Sequence, residues 1–322
     1  MSGVLVLIEV DGDAFVTSPD ELRAAAMSLA HGGPIVAGLM GPGGASLAPS
    51  LQDRFDRVLV AEGDPLAVYS AGAALVVGSA YLDATEADVC LATHTAQARE
   101  WLALLAFQRG GGLVTDCVAL AREEGAVVAT RPVFGGAVLG EFVVRAAPAF
   151  ASIRAKSFAA SDAIGDRAGS VEGVPVALGD ARGEVVLEEV RNPSTDGVRL
   201  QDARVVVSGG RGIRGLADWH YIEETAAALG AAVGCSRPLV DAGWLDPSFQ
   251  VGLTGVAVSP DLYVAVGISG ASQHLSGISG AKTVVAVNTD PDAPIFKVAR
   301  FGVVGDYRQV LPAFIARVRE LT

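Results

Sequence analysis

Short runs of Val, Leu and Ile alternate with Ala-rich stretches of helical period along most of this 322-residue chain. Residues 4–10 read as a first strand, and 18–31 as a helix with Ser18 as N-cap and Glu21 three residues later. Strands follow at 34–39 and 57–61, then a short helix at 66–71, strands at 74–78 and 88–92, and a helix at 95–109. Strands covered on both faces need no alternation with polar residues. Near-continuous apolar strands between helices therefore predict α/β architecture with a parallel sheet. From 126 to 145 the rhythm changes to short strands at 127–130, 133–134 and 141–144, with Gly135, Gly136 and Gly140 between them. A further strand is expected at 184–191, and Asn192-Pro193-Ser194 then breaks the chain. Two α/β domains are expected, 1–195 and 196–322. In the second, strands at 205–208, 231–235, 263–268, 283–288 and 301–304 alternate with helices at 219–229, 273–278 and 307–321.

Charge narrows the function. Lys and Arg number 24 against 36 Asp and Glu, a net charge of −12. Bulk attraction to a nucleic acid is excluded, although a few arginines and backbone N–H groups can still hold one phosphate. Cys90, Cys117 and Cys235 lie far apart without metal spacing and read as free thiols in a reducing compartment, so no metal site is expected. The first residues carry no basic run and reach Glu9 early, so no targeting segment is expected and a cytoplasmic location is. Stretch 65–81 is broken by Gly72, Gly78 and Ser79, and stretch 262–281 holds Gln273, His274 and several serines. Neither reads as a membrane span.

The loops after 196 carry the chemistry. Ser208-Gly209-Gly210-Arg211-Gly212 follows a strand directly, and Gly234-Cys235-Ser236-Arg237-Pro238 sets an arginine on a stiff turn at the sheet's carboxyl edge. Val251-Gly252-Leu253-Thr254-Gly255 displays one hydroxyl. Singly, each is as well read as an ordinary turn. The sharpest segment runs from a hydrophobic strand through Gly267-Ile268-Ser269-Gly270 into a helix near Gln273-His274. Free N–H groups at a helix start, with the Ser269 hydroxyl, make a cradle for a pyrophosphate. The segment is neither GxGxxG nor a P-loop, which argues against an ordinary NAD fingerprint. Asn288 and Asp306 each end an apolar strand, where they serve either the adenosine end of a dinucleotide or a local cap.

The run LYVAVGISGASQHLSGISGAKTVVAVN, followed by DPDAPIFKVARFGVVGD, closely resembles the signature of electron-transfer flavoprotein alpha subunits. SGGRG, GCSR and VGLTG stand in that family's order, and RPVFGGAVLGEF is similar to its link segment more loosely. The resemblance implies a redox carrier with FAD across a Rossmann-like C-terminal domain, and an N-terminal nucleotide-hydrolase-like α/β domain serving subunit contacts. It implies Arg237 over the isoalloxazine ring, Thr254 near N5 and His274 near O2. Arg211, Ser236, Ser269 and Gln273, with Gly267 and Gly270 in the same loop, would serve the pyrophosphate and ribityl chain, and Asn288 and Asp306 the adenosine. The implied partners are a beta subunit in a heterodimer, acyl-CoA or other dehydrogenases as donors, and a quinone oxidoreductase as acceptor. Leu253 stands where the family usually has glutamine, Thr289 where lysine is frequent, and Arg300 where an acid is common. The alternative is an NAD(P)-binding oxidoreductase on a related scaffold. No acid–base set supports it, since only His274 of the four histidines lies in the expected site.

Overall fold

The computed structural model describes residues 3–136, 138–160, 169–182 and 199–321. The chain divides into two compact units, Met1–Pro132 with Leu139–Val190, and Val133–Val138 with Arg191–Thr322. The expected strand at 184–191, the break at 192–194 and the 195/196 boundary lie outside the described residues.

In the first unit seven strands pair in parallel, in the spatial order Ser170–Val174, Arg57–Ala61, Ile35–Met40, Val4–Asp11, Val89–Thr93, Ala149–Ile153 and Gly112–Cys117. Val4–Asp11 shows why no polar alternation is visible in the sequence. Val4, Val6, Ile8 and Val10 join one buried cluster with Leu22, Ala25 and Leu29 of helix Pro19–Ala30. Leu5 and Leu7 join the other, with Val77, Tyr81, Trp101 and Leu105 of helices Ala71–Thr85 and Ala96–Gln108. Both faces of the strand are core, as expected for a doubly covered parallel sheet.

Several local expectations are corrected. Residues 74–78 are helical, within Ala71–Thr85, and 66–71 is not a separate helix. The Ser70 hydroxyl caps this helix by accepting from the Ala73 N–H at 3.1 Å, and an alanine-rich run then propagates as helix despite Val76 and Val77. Ser18 does stand at its helix's N-cap but accepts no bond there, and Glu21 instead accepts from the backbone N–H of Lys156. Residues 126–133 form a single strand, Ala126–Val133, between Ala119–Glu123 and Val138–Val144 in a small second sheet, and Phe134 begins the short 3-10 turn Phe134–Gly136. Strands at 112–117, 119–123, 149–153 and 170–174 were not expected.

The second unit repeats the architecture. Its five parallel strands lie in the order Ala232–Cys235, Val205–Gly209, Leu262–Val266, Thr283–Asn288 and Phe301–Val304. Val206, Tyr263, Ala265 and Ala286 face one buried cluster, and Val207, Val264, Val266 and Val287 the other, with Tyr307 and Leu311 of helix Tyr307–Leu321. The chain order reverses between Val205–Gly209 and Leu262–Val266. In open α/β sheets ligands bind at the carboxyl ends of the strands beside such a reversal. Among the described residues no helix is long and apolar enough to cross a membrane.

The equivalent reversal in the first unit, between Val4–Asp11 and Val89–Thr93, is filled by the chain's own Glu9. That carboxyl is 5% exposed and accepts a 2.6 Å bond from the Thr95 hydroxyl, which stands at the N-cap of helix Ala96–Gln108. Burial raises its pKa above 4.5, with hydrogen bonds from Thr95, Ala98 and Trp101 opposing the rise. A carboxyl whose native pKa is raised holds its proton more tightly folded than unfolded. Stability is therefore lost as pH climbs from 4.5 through the native value. Glu9→Gln should flatten that segment of the curve. Denaturant midpoints measured from pH 4 to pH 8 check it, and a parallel loss in wild type and variant contradicts the assignment.

Candidate functional site

At the carboxyl edge of the second sheet, backbone hydrogen bonds tie successive loops into one rim. Ser236 N–H donates to the Gly209 carbonyl at 3.0 Å, and Val251 N–H to the Cys235 carbonyl at 2.9 Å. Leu253 N–H reaches the Gln273 carbonyl at 2.8 Å, Gly212 N–H the Gly267 carbonyl at 2.9 Å, and Ile295 N–H the Ser269 carbonyl at 3.0 Å. The loops after four different strands are therefore held by partners that do not depend on side-chain rotamers. Gly267 has φ +62°, and a Cβ there would stand 2.9 Å from the Cα of Gly212. The reciprocal Cβ on Gly212 would stand 2.7 Å from the Cα of Gly267. The glycines expected to admit a ligand thus first admit one another. Gly270 lies equally close to the backbone of Ile295.

Side chains on the rim divide into exposed and committed groups. Arg211 is exposed and makes no ion pair among the described residues, while Arg237 is exposed beside Asp241 at 3.3 Å. Ser236 is buried at the N-cap of the short helix Arg237–Asp241. Ser269 and Gln273 are exposed, and Gln273 Oε1 accepts from the Ser272 hydroxyl at 3.3 Å. Thr254 Oγ1 accepts from Nε2 of the buried Gln250 at 2.9 Å, so its own O–H remains available to donate. Asn288 and Asp306 perform the local duty that the sequence left open. Asn288 Nδ2 donates to the Ile268 carbonyl at 2.9 Å while its Oδ1 accepts from Asp290 N–H at 3.0 Å. Asp306 accepts from Arg308 N–H at 2.9 Å ahead of helix Tyr307–Leu321.

His274 lies in the first turn of helix Ser272–Ile278 and is 7% exposed. Its Nε2 is 3.0 Å from the hydroxyl of the fully buried Tyr263, and its Nδ1 is buried without a hydrogen bond of good geometry. Burial lowers its pKa to about 4, opposed in part by the Val251 backbone beside it. The ring is therefore a neutral imidazole at physiological pH. His94, in the first unit, is by contrast spent on Ser152 at 2.8 Å. Two supporting residues escaped the sequence reading. Gln250 and Tyr263 each look like an ordinary strand or loop residue until the fold brings them to Thr254 and His274.

Residues 4–178 match the family model described as the electron transfer flavoprotein domain, and residues 199–279 match the electron transfer flavoprotein FAD-binding domain. Over 319 residues the chain is 36% identical to the electron transfer flavoprotein subunit alpha of Bacillus subtilis (strain 168), covering 99% of this chain and 98% of that one. The protein of the same description from Syntrophomonas wolfei is 37% identical over 292 residues, covering 90% of this chain and 91% of its own. Protein FixB of Azotobacter vinelandii is 38% identical over 247 residues, covering 74% and 68%.

The glycine contact at the reversal is directly testable. Gly267→Ala should cost about 1–3 kcal/mol, through both its positive φ and the clash with Gly212. Gly215→Ala, at an extended φ of −178° with nothing within 4 Å of the added carbon, should stay within about 0.5 kcal/mol of wild type. Equal costs in chemical denaturation would contradict the loop-to-loop role.

Proposed function

Since the chain belongs to the electron transfer flavoprotein alpha-subunit family, we propose that its FAD is held on the carboxyl rim of residues 196–322, and that the chain relays electrons without substrate chemistry of its own. When bound, FAD supplies the one- and two-electron redox chemistry. The observation that carries the placement is the tied rim itself. Two exposed arginines, Arg211 and Arg237, share it with a buried histidine whose Nδ1 has no partner of good geometry. Those residues fit a dinucleotide with a charged pyrophosphate and a polar ring. Gly267, Ser269, Gly270 and Gln273 would hold the pyrophosphate end, with Arg211 adding charge. Ser236, Arg237, Thr254 and His274 would face the ribityl chain and flavin ring, and Asn288 and Asp306 the adenosine. The last two keep lone pairs or N–H groups beyond those spent on local caps. Leu253, 66% exposed beside Thr254, would rest on the flavin edge where relatives place glutamine, and so lower the polarity there.

Arg237 is assigned to the ring because a fixed guanidinium stabilises the negative charge that reduction creates. Donors are dehydrogenases, acyl-CoA dehydrogenases among them, and the acceptor is a quinone oxidoreductase, in the cytoplasm. The working unit is a one-to-one complex with a beta-type subunit held by residues 1–195. An NAD(P)-binding oxidoreductase is not favoured, because the FAD-binding family model covers the same loops.

Co-expression with the beta-type chain should yield a yellow one-to-one complex, and expression alone a chain poor in FAD. A fully flavin-loaded, electron-transferring monomer would overturn the partner reading. Arg237→Ala should retain FAD and lower its midpoint potential in a redox titration. An unchanged midpoint removes Arg237 from the ring.

A further inference from the structure

We propose that Tyr263 is a positioning residue that fixes the tautomer of His274, placing the imidazole proton on Nδ1 so that the ring offers a neutral N–H donor. The proposal rests on the FAD reading for the identity of what receives that donor, the carbonyl end of the flavin ring, but the tautomer itself follows from this chain alone.

A neutral imidazole carries one N–H and one acceptor nitrogen, and the hydrogen bond made at one nitrogen decides the other. Here the partner at Nε2 is a phenol, 3.0 Å away and fully buried. A buried phenol must place its O–H on an acceptor or leave it unsatisfied, at a cost comparable to a lost hydrogen bond. The neighbouring polar group on the adjacent strand is the hydroxyl of Ser208, fully buried and making no hydrogen bond of good geometry of its own. With no hydrogen bond of good geometry to Ser208, the phenol has Nε2 of His274 as its acceptor among the described residues. The Tyr263 hydroxyl therefore donates to Nε2 of His274. Nε2 is the acceptor, and the proton sits on Nδ1. The reverse arrangement would point Nε2–H at the phenol, leave the phenol O–H without an acceptor of good geometry, and leave Nδ1 as a bare lone pair.

The consequence for the proposed site is a sign. An Nδ1–H donor favours negative charge on an adjacent oxygen, whereas an Nδ1 lone pair repels it. Tyr263 never touches the ring of the flavin, yet it decides which of these the flavin meets.

The test uses the complete complex, as purified, with its histidines labelled with 15N, and identifies the His274 signal by its loss in His274→Asn. Nitrogen shifts and proton couplings should report Nδ1–H in the wild type. Tyr263→Phe, which removes only the phenolic oxygen, should shift the tautomer ratio toward Nε2–H by about tenfold, the worth of one buried hydrogen bond. The same variant should lower the flavin midpoint potential. Wild-type His274 carrying its proton on Nε2 overturns the proposal whether or not the variant folds, and so does a folded variant with an unchanged tautomer. A changed tautomer with an unchanged midpoint overturns the donor role toward the flavin. A purified complex without FAD in this chain overturns the cofactor reading instead, and leaves the tautomer to be read on its own.

Discussion

The second unit depends on a contact between two pieces of bare backbone. Where the chain order reverses, the turn after Val205–Gly209 and the turn after Leu262–Val266 meet at Gly212 and Gly267, with no side chain between them. Gly210 N–H to the Val266 carbonyl at 2.8 Å and Gly212 N–H to the Gly267 carbonyl at 2.9 Å extend the sheet's pairing beyond its last residues. The crevice of an open parallel sheet is normally where two loops part. Here they part only after being joined, so the peptide groups that follow, from Ile268 to Ala271, are set by backbone geometry. The loop after Ala232–Cys235 is joined to the same rim through Val251, and that after Thr283–Asn288 through Asn288. A floor built this way can keep its shape while exposed side chains such as Arg211 and Arg237 adjust above it.

The two units pose the same physical problem and meet it differently. Each is a parallel sheet with both faces buried, and each reverses its strand order once, which leaves helix N-termini and strand ends pointing into a gap. In the first unit a carboxyl from the central strand enters that gap and takes hydrogen bonds there, at the cost of a group that resists ionisation. In the second unit, among the described residues, no acidic side chain is hydrogen-bonded to residues 210–213 or 267–271 of the two turns. The groups at its gap are glycines, hydroxyls and an imidazole, and Asp306, at a neighbouring strand end, accepts from the Arg308 N–H and pairs with Arg214 at 3.6 Å. An anion finds a self-made competitor in one unit and none in the other.

What the sequence displays and what it conceals follows from the range of the interactions. The five strands of the second unit and the helix at 307–321 are legible because apolar runs and glycine punctuation are local signals. The loops that carry the glycines, the arginines and His274 are legible as turns at strand ends because glycine punctuation is local, and the fold brings them to one rim. Residues 74–78 misread as strand because Val and Ala serve both structures, and the deciding cap, Ser70, acts from outside the window. Ala149–Ile153 escaped because its burial comes from strands 89–93 and 112–117, one of them sixty residues away in sequence at its paired positions, Ala149 against Val89. Gln250 and Tyr263 escaped for the same reason in sharper form. A polar residue's partner is invisible until the fold supplies it, and Tyr263 lies eleven positions from His274 on a different element.

Tyr263 also shows why such supporting residues sit where they do. Its ring belongs to one core cluster, beside Val206 and Ala265, and its hydroxyl lies at the polar end of that cluster. A phenol buried this fully must be paired, or the core pays the desolvation of an idle donor. Pairing it with His274 satisfies the phenol, removes one of the ring's two choices of proton, and keeps the imidazole uncharged by burial. A cation at this place would attract negative charge more strongly, but it would need a counter-charge or water to survive in so apolar a setting. Among the described residues no acidic side chain is hydrogen-bonded or ion-paired to it. The arginines of the rim, Arg211 and Arg237, remain exposed to solvent instead. Burial and exposure thus divide the rim: the arginines stay in solvent, and the histidine is held by a tyrosine from the core.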